Sequence, residues 1–283
     1  MDLKTVLLPI ALIIIMFGMG MTLTPADFKR VILAPKAKLL GLLNQLLLLP
    51  LIALGLVFAF RLPGELAVGL MLIAACPGGP TSNIISHLSK GDTALSVTLT
   101  AVSSVITVFT IPLVVGAAMG HFLEPGQIPP PYLTIMLQLI VVTILPISLG
   151  MLLHAKKPAF CAKSQRAFNI LSVLFLALVI VGAVLEEENL GQQFRDAGPA
   201  AIALNLLTMA TGFGTAALLR LPRRQQITIS IESGIQNGTL ALGIAQGILN
   251  IPGVSVPAVV YSLLMFGSGA LMILVAPKIL NEA

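Results

Sequence analysis

The chain has 283 residues, of which 57% are hydrophobic and only 10% charged, whereas a soluble domain carries about 25% charged residues. With a mean hydropathy of +1.02 this excludes an ordinary soluble domain and indicates an all-α polytopic membrane protein. The net charge of +5 would suit a nucleic-acid partner, but the basic residues lie in short connections between apolar runs, where membrane orientation places them, so no nucleic-acid partner is expected.

A membrane-spanning helix needs about 20 mostly apolar residues. On that ruler the chain presents nine segments, at 5–22, 37–60, 65–89, 93–119, 132–153, 167–185, 198–219, 224–249 and 254–277. The first has a single lysine before it and runs into Met19-Gly20-Met21 without a cleavage site, so it reads as a retained helix rather than a signal peptide. The second carries a lone amide, Gln45, beside Leu46 to Leu49. The third is interrupted by Cys76-Pro77-Gly78-Gly79-Pro80-Thr81-Ser82-Asn83, where prolines remove backbone donors and glycines weaken the helix. The fourth bears Ser96 and Thr100 one turn apart, a polar stripe that Ser103 and Thr107 continue. The eighth is interrupted over Ile231-Glu232-Ser233-Gly234-Ile235-Gln236-Asn237-Gly238, and Glu232 is the one acidic residue in the interior of a membrane-length run. An ionisable side chain at that depth costs several kcal/mol and is expected to face a cavity, an ion or a partner charge.

Alternation of nine helices puts Lys29, Arg30, Lys36, Lys38, Lys90, Lys156, Lys157, Lys163, Arg166, Arg220, Arg223, Arg224 and Lys278 on one side, against Lys4, Arg61 and Arg195 on the other. Positive residues stay inside, which predicts an outside amino terminus and a cytoplasmic carboxyl terminus in the inner (plasma) membrane. Glu186, Glu187 and Glu188 then face outward. Cys76, in an apolar helix, and Cys161, in a basic loop, offer no disulfide framework, and His87, His121 and His154 form no metal-ligand cluster.

The two interrupted segments are five apart and therefore run in opposite directions, which is what an inverted repeat produces, and interrupted segments at corresponding positions point to a transporter's binding site. The expected division is a truncated first repeat over 1–119 and a second over 132–283, with the fifth segment unpaired. Broken helices free carbonyls and amides that only protein or a water-filled cavity can satisfy. Ser82, Asn83, Ser96, Thr100, Glu232, Gln236, Asn237 and Gln45 make an oxygen-rich set with one carboxylate, suited to Na⁺ or H⁺ rather than to a transition metal. Against this stand plainer readings: hydroxyls in membrane helices commonly bond back one turn, Gly234, Gly238, Gly243 and Gly247 have packing spacings, and Gln45 could bond across to another helix.

The runs Met16-Phe17-Gly18-Met19-Gly20-Met21-Thr22-Leu23, Cys76-Pro77-Gly78-Gly79 with Ser82-Asn83, Gly91-Asp92-Thr93-Ala94-Leu95-Ser96, and Ile231-Glu232-x-Gly234-x-Gln236-Asn237 resemble the bile acid:sodium symporter family over nearly the whole chain. The resemblance implies sodium-coupled uptake of an organic anion by alternating access, with a panel domain (about 5–60 and 132–185) and a core domain (about 65–119 and 198–277) in which the two broken helices cross. It implies one sodium site at Ser82, Asn83, Ser96, Thr100 and Glu232, and a second at Gln45, Glu232 and Gln236 with the backbone carbonyls of Ser233 and Ile235. It puts substrate at Asn237 and around Pro80 and Thr81. Two departures bear on this. Ten-helix bacterial members have one more helix before the Met-Phe-Gly-Met-Gly helix, so this chain matches a nine-helix form. Pro80 and Met265-Phe266 replace residues that are polar in some relatives, so bile acid as substrate does not follow; steroid sulfates, pantoate-like acids and 2-keto acids are equally in range.

Two rival carriers share this architecture, a proton-coupled symporter and a uniporter. A receptor that binds the anion without moving it is a further alternative. An intramembrane enzyme would need a second catalytic group near Glu232, and no membrane segment supplies one.

Overall fold

The computed structural model describes residues 3–33, 35–123, 132–186 and 190–281, and the expectations for Glu187 and Glu188 fall outside them. Helices run in the order α1 (Leu3–Gly20), α2 (Pro25–Leu33), α3 (35–60), α4 (Gly64–Ala75), α5 (Pro80–Leu88), α6 (Thr93–Phe122), α7 (132–156), α8 (Pro158–Glu186), α9 (Leu190–Leu218), α10 (Arg223–Gly234), α11 (238–249) and α12 (Ser255–Asn281). Among the described residues, α3, α6, α7, α8, α9 and α12 are long and apolar enough to cross a membrane, and Pro9–Gly20, Gly64–Ala75 and Gly238–Leu249 are shorter apolar helices. Each overlaps one of the nine expected segments, and α6, α8, α9 and α12 run beyond theirs. The third segment is α4 plus α5 and the eighth is α10 plus α11, each broken where the prolines, glycines and polar residues suggest.

The sequence reading misses α2, although its start is marked. Thr24 precedes Pro25, and the Thr24 N–H and hydroxyl both donate to the Asp27 carboxylate, at 2.8 and 2.7 Å, in the manner of a capping box. It also places Cys161 in a loop, whereas α8 begins at Pro158 and holds Cys161 buried within a helix. Lys163 and Arg166 extend that helix beyond its apolar run, which is why the apolar ruler started it late.

Two long helices widen into a π-turn just before a proline, Asn44–Leu48 ahead of Pro50 in α3 and Ile140–Ile144 ahead of Pro146 in α7. A proline has no N–H to give and its ring crowds the carbonyl four residues back, so the turn before it opens. Gln45 sits within the first of these turns.

Corners of one kind precede both broken helices. Arg61 and Arg220 adopt left-handed backbone (φ 51° and 54°), followed by buried Leu62 and Leu221 and then by Pro63 and Pro222 as helix caps (ψ 153° and 145°). Lys90 and Asn250, after the two broken spans, are left-handed as well (φ 55° and 49°). A non-glycine residue pays roughly 1–2 kcal/mol for this backbone.

Helix α1 packs on the second half of α7 and on α8, whereas α3 packs on α4, α6 and α9. Asn44 Nδ2 donates to Thr215 Oγ1 (3.0 Å), fastening α3 to α9. The Gln45 amide, also on α3, reaches into the crossing of the broken helices.

Candidate functional site

The two breaks meet back to back. Cys76 and Ile235 leave their helices in extended backbone, and Gly78 pairs with Gln236 in an antiparallel bridge, the one isolated β-pairing among the described residues. The Asn237 N–H donates to the Pro77 carbonyl (2.9 Å), so backbone groups released by one break are satisfied by the other. Two donors from outside the crossing, Asn205 Nδ2 at 2.7 Å and the Tyr261 hydroxyl at 2.9 Å, converge on the carbonyl of Gly234. Sequence reasoning misses both residues, and the signal for Asn205 is an isolated Asn within an apolar run.

Glu232 lies just before the second break and is 4% exposed. The Ser96 hydroxyl donates to its Oε1 (2.5 Å) and the Thr100 hydroxyl to its Oε2 (2.9 Å). Asn83 Oδ1 stands 2.8 Å from the Ser96 oxygen and 3.3 Å from the Thr100 oxygen. Ser82 donates to the Gly79 carbonyl (2.8 Å) with its oxygen 3.4 Å from that of Thr100. Gly78 makes this approach possible, because a Cβ there would lie 2.8 Å from Glu232 Oε2 and 3.2 Å from Ser82 Oγ. The predicted set of Ser82, Asn83, Ser96, Thr100 and Glu232 is thus gathered in one place.

Proton counting gives this cluster its chemical character. A hydroxyl has one proton, so the two protons of Ser96 and Thr100 are shared among three acceptors, the two carboxylate oxygens and Asn83 Oδ1. Such a surplus of acceptors around one carboxylate fits a hard cation bound by oxygen.

Of the second predicted set, Gln45, Gln236 and the Ser233 carbonyl are joined, in a different hydrogen-bonding sense. Gln45 Nε2 donates to the Cys76 carbonyl (2.7 Å) and to Gln236 Oε1 (2.8 Å), while Gln236 Nε2 donates to the carbonyls of Ser233 (3.0 Å) and Glu232 (3.3 Å). Amide protons occupy these carbonyls, and Ile235 is wholly buried beside them. Asn237 caps α11, its Oδ1 accepting from the Leu240 N–H (3.0 Å), and its Nδ2 is buried without a partner. Pro80 and Thr81 open α5 and are half-buried.

The plainer readings hold for the rest of the stripe and for Gly234 and Gly238, but not for Gly247. Ser103 and Ser104 donate back to the Thr100 carbonyl and Thr107 to that of Ser104, so the stripe beyond Thr100 is internal to α6. Added Cβ atoms at Gly234 and Gly238 would lie 2.0 Å from Met209 and from Ser262, which is close packing. Gly247 has nothing within 4 Å of such an atom and lines a largely apolar cavity of about 340 Å³ between α1, α7 and α11, with Gln138 as its polar residue.

The sequence profile described as the sodium bile acid symporter family matches residues 9–193. The chain is similar to an uncharacterized sodium-dependent transporter, YocS, of Bacillus subtilis (33% identity over 263 residues, 92% of this chain and 79% of the relative). It is also similar to a probable chloroplastic sodium/metabolite cotransporter, BASS2, of rice (30% over 274 residues, 96% of this chain and 64% of the relative) and to human sodium/bile acid cotransporter 4 (30% over 236 residues, 83% and 54%). It thus spans less than two thirds of the length of the rice and human proteins. These relatives are named as transporters, not enzymes, and the helices described above are those of a multi-pass membrane protein. On the extent of that profile match and the Bacillus identity, the chain belongs to the sodium bile acid symporter family.

Proposed function

We propose that this chain couples the inward movement of Na⁺ to uptake of a small organic anion by alternating access. The observation that carries the reading is the acceptor surplus at Glu232, where two carboxylate oxygens and Asn83 Oδ1 converge on two hydroxyl protons. One Na⁺ would sit among Ser82, Asn83, Ser96, Thr100 and Glu232. A second would take the place of the amide protons of Gln236 and Gln45, with Glu232 and the Ser233 and Ile235 carbonyls completing its shell once the amides rotate to offer oxygen. Glu232 then serves both ions.

The anion docks where the breaks cross. Its carboxylate or sulfonate would meet the unpartnered Asn237 Nδ2 and the amino-terminal ends of α5 and α11, beside Pro80 and Thr81. Two Na⁺ with one monovalent anion carry one net positive charge inward, driven by about 2.3 kcal/mol per 100 mV. Moving parts follow the packing: α1, α7 and α8 as the panel, with α3 joining α4–α6 and α9–α12 in the core, in two inverted repeats. The carboxyl terminus is cytoplasmic and the amino terminus outside.

The test uses Glu232→Gln in purified, folded protein. Sodium should raise the melting temperature of the wild type and leave that of Glu232→Gln unmoved, and uptake into proteoliposomes should fall to background when choline replaces Na⁺. Uptake driven equally well by a pH gradient in choline would replace sodium by the proton as the coupling ion.

A further inference from the structure

Below the carboxylate cluster, α5, α10 and the corner leading into α6 supply a second polar layer that neither sodium set uses. Thr228 precedes Glu232 by one helical turn, Ser86 follows Ser82 by one turn, and Asp92 precedes Ser96 by one turn. Each element that gives a ligand to the upper layer therefore gives an oxygen to the lower one, about 6 Å away along the helix axes. The lower oxygens are in contact with one another. The Ser86 and Thr228 hydroxyl oxygens are 2.9 Å apart, the Asp92 N–H donates to Thr228 Oγ1 (2.8 Å), and the Thr228 hydroxyl donates to the Asp92 carbonyl (3.3 Å).

Gly91 permits this approach, since a Cβ there would lie 2.6 Å from Thr228 Oγ1 and 2.9 Å from Ser86 Oγ. Ser86 and Thr228 are wholly buried, among apolar neighbours in sequence such as Ile85, Ile227 and Ile229. Ser89, one turn beyond Ser86, is also wholly buried, and its hydroxyl has no hydrogen-bond partner. Asp92 is only half-buried. Its Oδ1 accepts from the Leu95 N–H (3.0 Å) and its Oδ2 from Gln225 Nε2 (3.3 Å), and it stands on the face of the molecule that carries Lys90, Arg223 and Arg224.

We propose that Ser86, Thr228 and Asp92 form the release step by which a monovalent cation leaves the Glu232 site toward the basic face. The proposal rests on the sodium-coupled reading given above. A bare cation leaving the carboxylate would otherwise enter a buried apolar layer, where an unpaired charge is very costly. Two hydroxyl oxygens one turn down replace part of its shell, and the Asp92 carboxylate draws it onward into water. In the arrangement seen here the Thr228 oxygen is engaged by Ser86 and Asp92, so the step is closed, and passage exchanges those hydrogen bonds for ion contacts. The basic residues around Asp92 weaken its hold on the ion, which keeps the step a passage rather than a trap.

Radiolabelled Na⁺ on the full-length protein in lipid nanodiscs tests this, with equilibrium binding and chase by unlabelled Na⁺ measured on the same sample. Thr228→Val is expected to keep the equilibrium affinity within about twofold of wild type while slowing release about tenfold, a barrier change of about 1.4 kcal/mol. Ser86→Ala should slow release in the same sense, which keeps the test available if Thr228→Val does not fold, and Thr228→Ser should restore the wild-type rate. Release at the wild-type rate or faster in Thr228→Val and Ser86→Ala overturns the proposal. So does a rate change matched by a loss of affinity, because the layer would then merely prop the site above it. Binding in the wild type that survives in Glu232→Gln would instead remove the carboxylate site itself, a failure of the underlying reading that this control separates.

Discussion

The first break, at 76–79, and the second, at 235–237, share a backbone plan and divide the chemistry between them. Each follows a left-handed arginine, a buried leucine and a capping proline, and each broken span ends in another left-handed residue. Yet the first break contains Pro77, Gly78 and Gly79 and no side-chain oxygen, whereas the second carries Gln236 and Asn237 and is preceded by Glu232. One supplies space and the other supplies charge. A backbone crossing alone would give a symmetric set of freed amides and carbonyls. The carboxylate cluster is off-centre because Gly78 lets a carboxylate from one half press against the backbone of the other.

This comparison can be broken most directly at Gly78. Gly78→Ala puts a Cβ within 2.8 Å of Glu232 Oε2, displacing the carboxylate from Thr100, and is expected to abolish the sodium-dependent rise in melting temperature and to cost about 1–3 kcal/mol of stability. A normal sodium shift in that variant would mean that the first break contributes no essential space. Next in size is Asn205→Ala, which leaves the Gly234 carbonyl with Tyr261 alone and should cost about 1–3 kcal/mol in sodium-free denaturation. Tyr261→Phe removes the other donor without opening a cavity, for about 1 kcal/mol in the same measurement. If both are silent, the second break holds its shape without outside donors. The smallest effect is expected at Gly79, where a Cβ would meet Asn237 atoms at 3.5 to 3.6 Å, an ordinary contact. Gly79→Ala should melt and respond to sodium like the wild type, and a large loss there would show that both glycines of the first break, not one, are held to close contact.

Much of this site was legible in the sequence because it violates the rules of its surroundings. A carboxylate in an apolar run and a Pro-Gly-Gly-Pro sequence in a membrane segment both conflict with their setting, and the structure resolves the two conflicts against each other. Ser96 and Thr100 were legible by spacing, but spacing did not separate them from Ser103 and Thr107. The difference is tertiary: only the first pair faces Glu232, and the others find the nearest carbonyl in their own helix. Asn205 and Tyr261 escaped notice for a related reason, since they serve a carbonyl exposed by a break in another helix. The repeated Arg-Leu-Pro corner was visible as letters, but its left-handed backbone, which makes the repetition costly and hence informative, is not encoded by residue type. The early start of α8 was hidden because polar residues extend a helix past its apolar run without announcing it.

Both cysteines of the chain are buried, Cys76 at the mouth of the first break and Cys161 within α8. The native protein should therefore be nearly silent toward membrane-impermeant maleimides while it is folded. A single thiol introduced at a position of interest becomes a reporter read against a quiet background, without first stripping the chain of its own sulfur. Reactivity appearing at Cys76 itself would be informative, because that thiol is wholly buried where the first helix breaks.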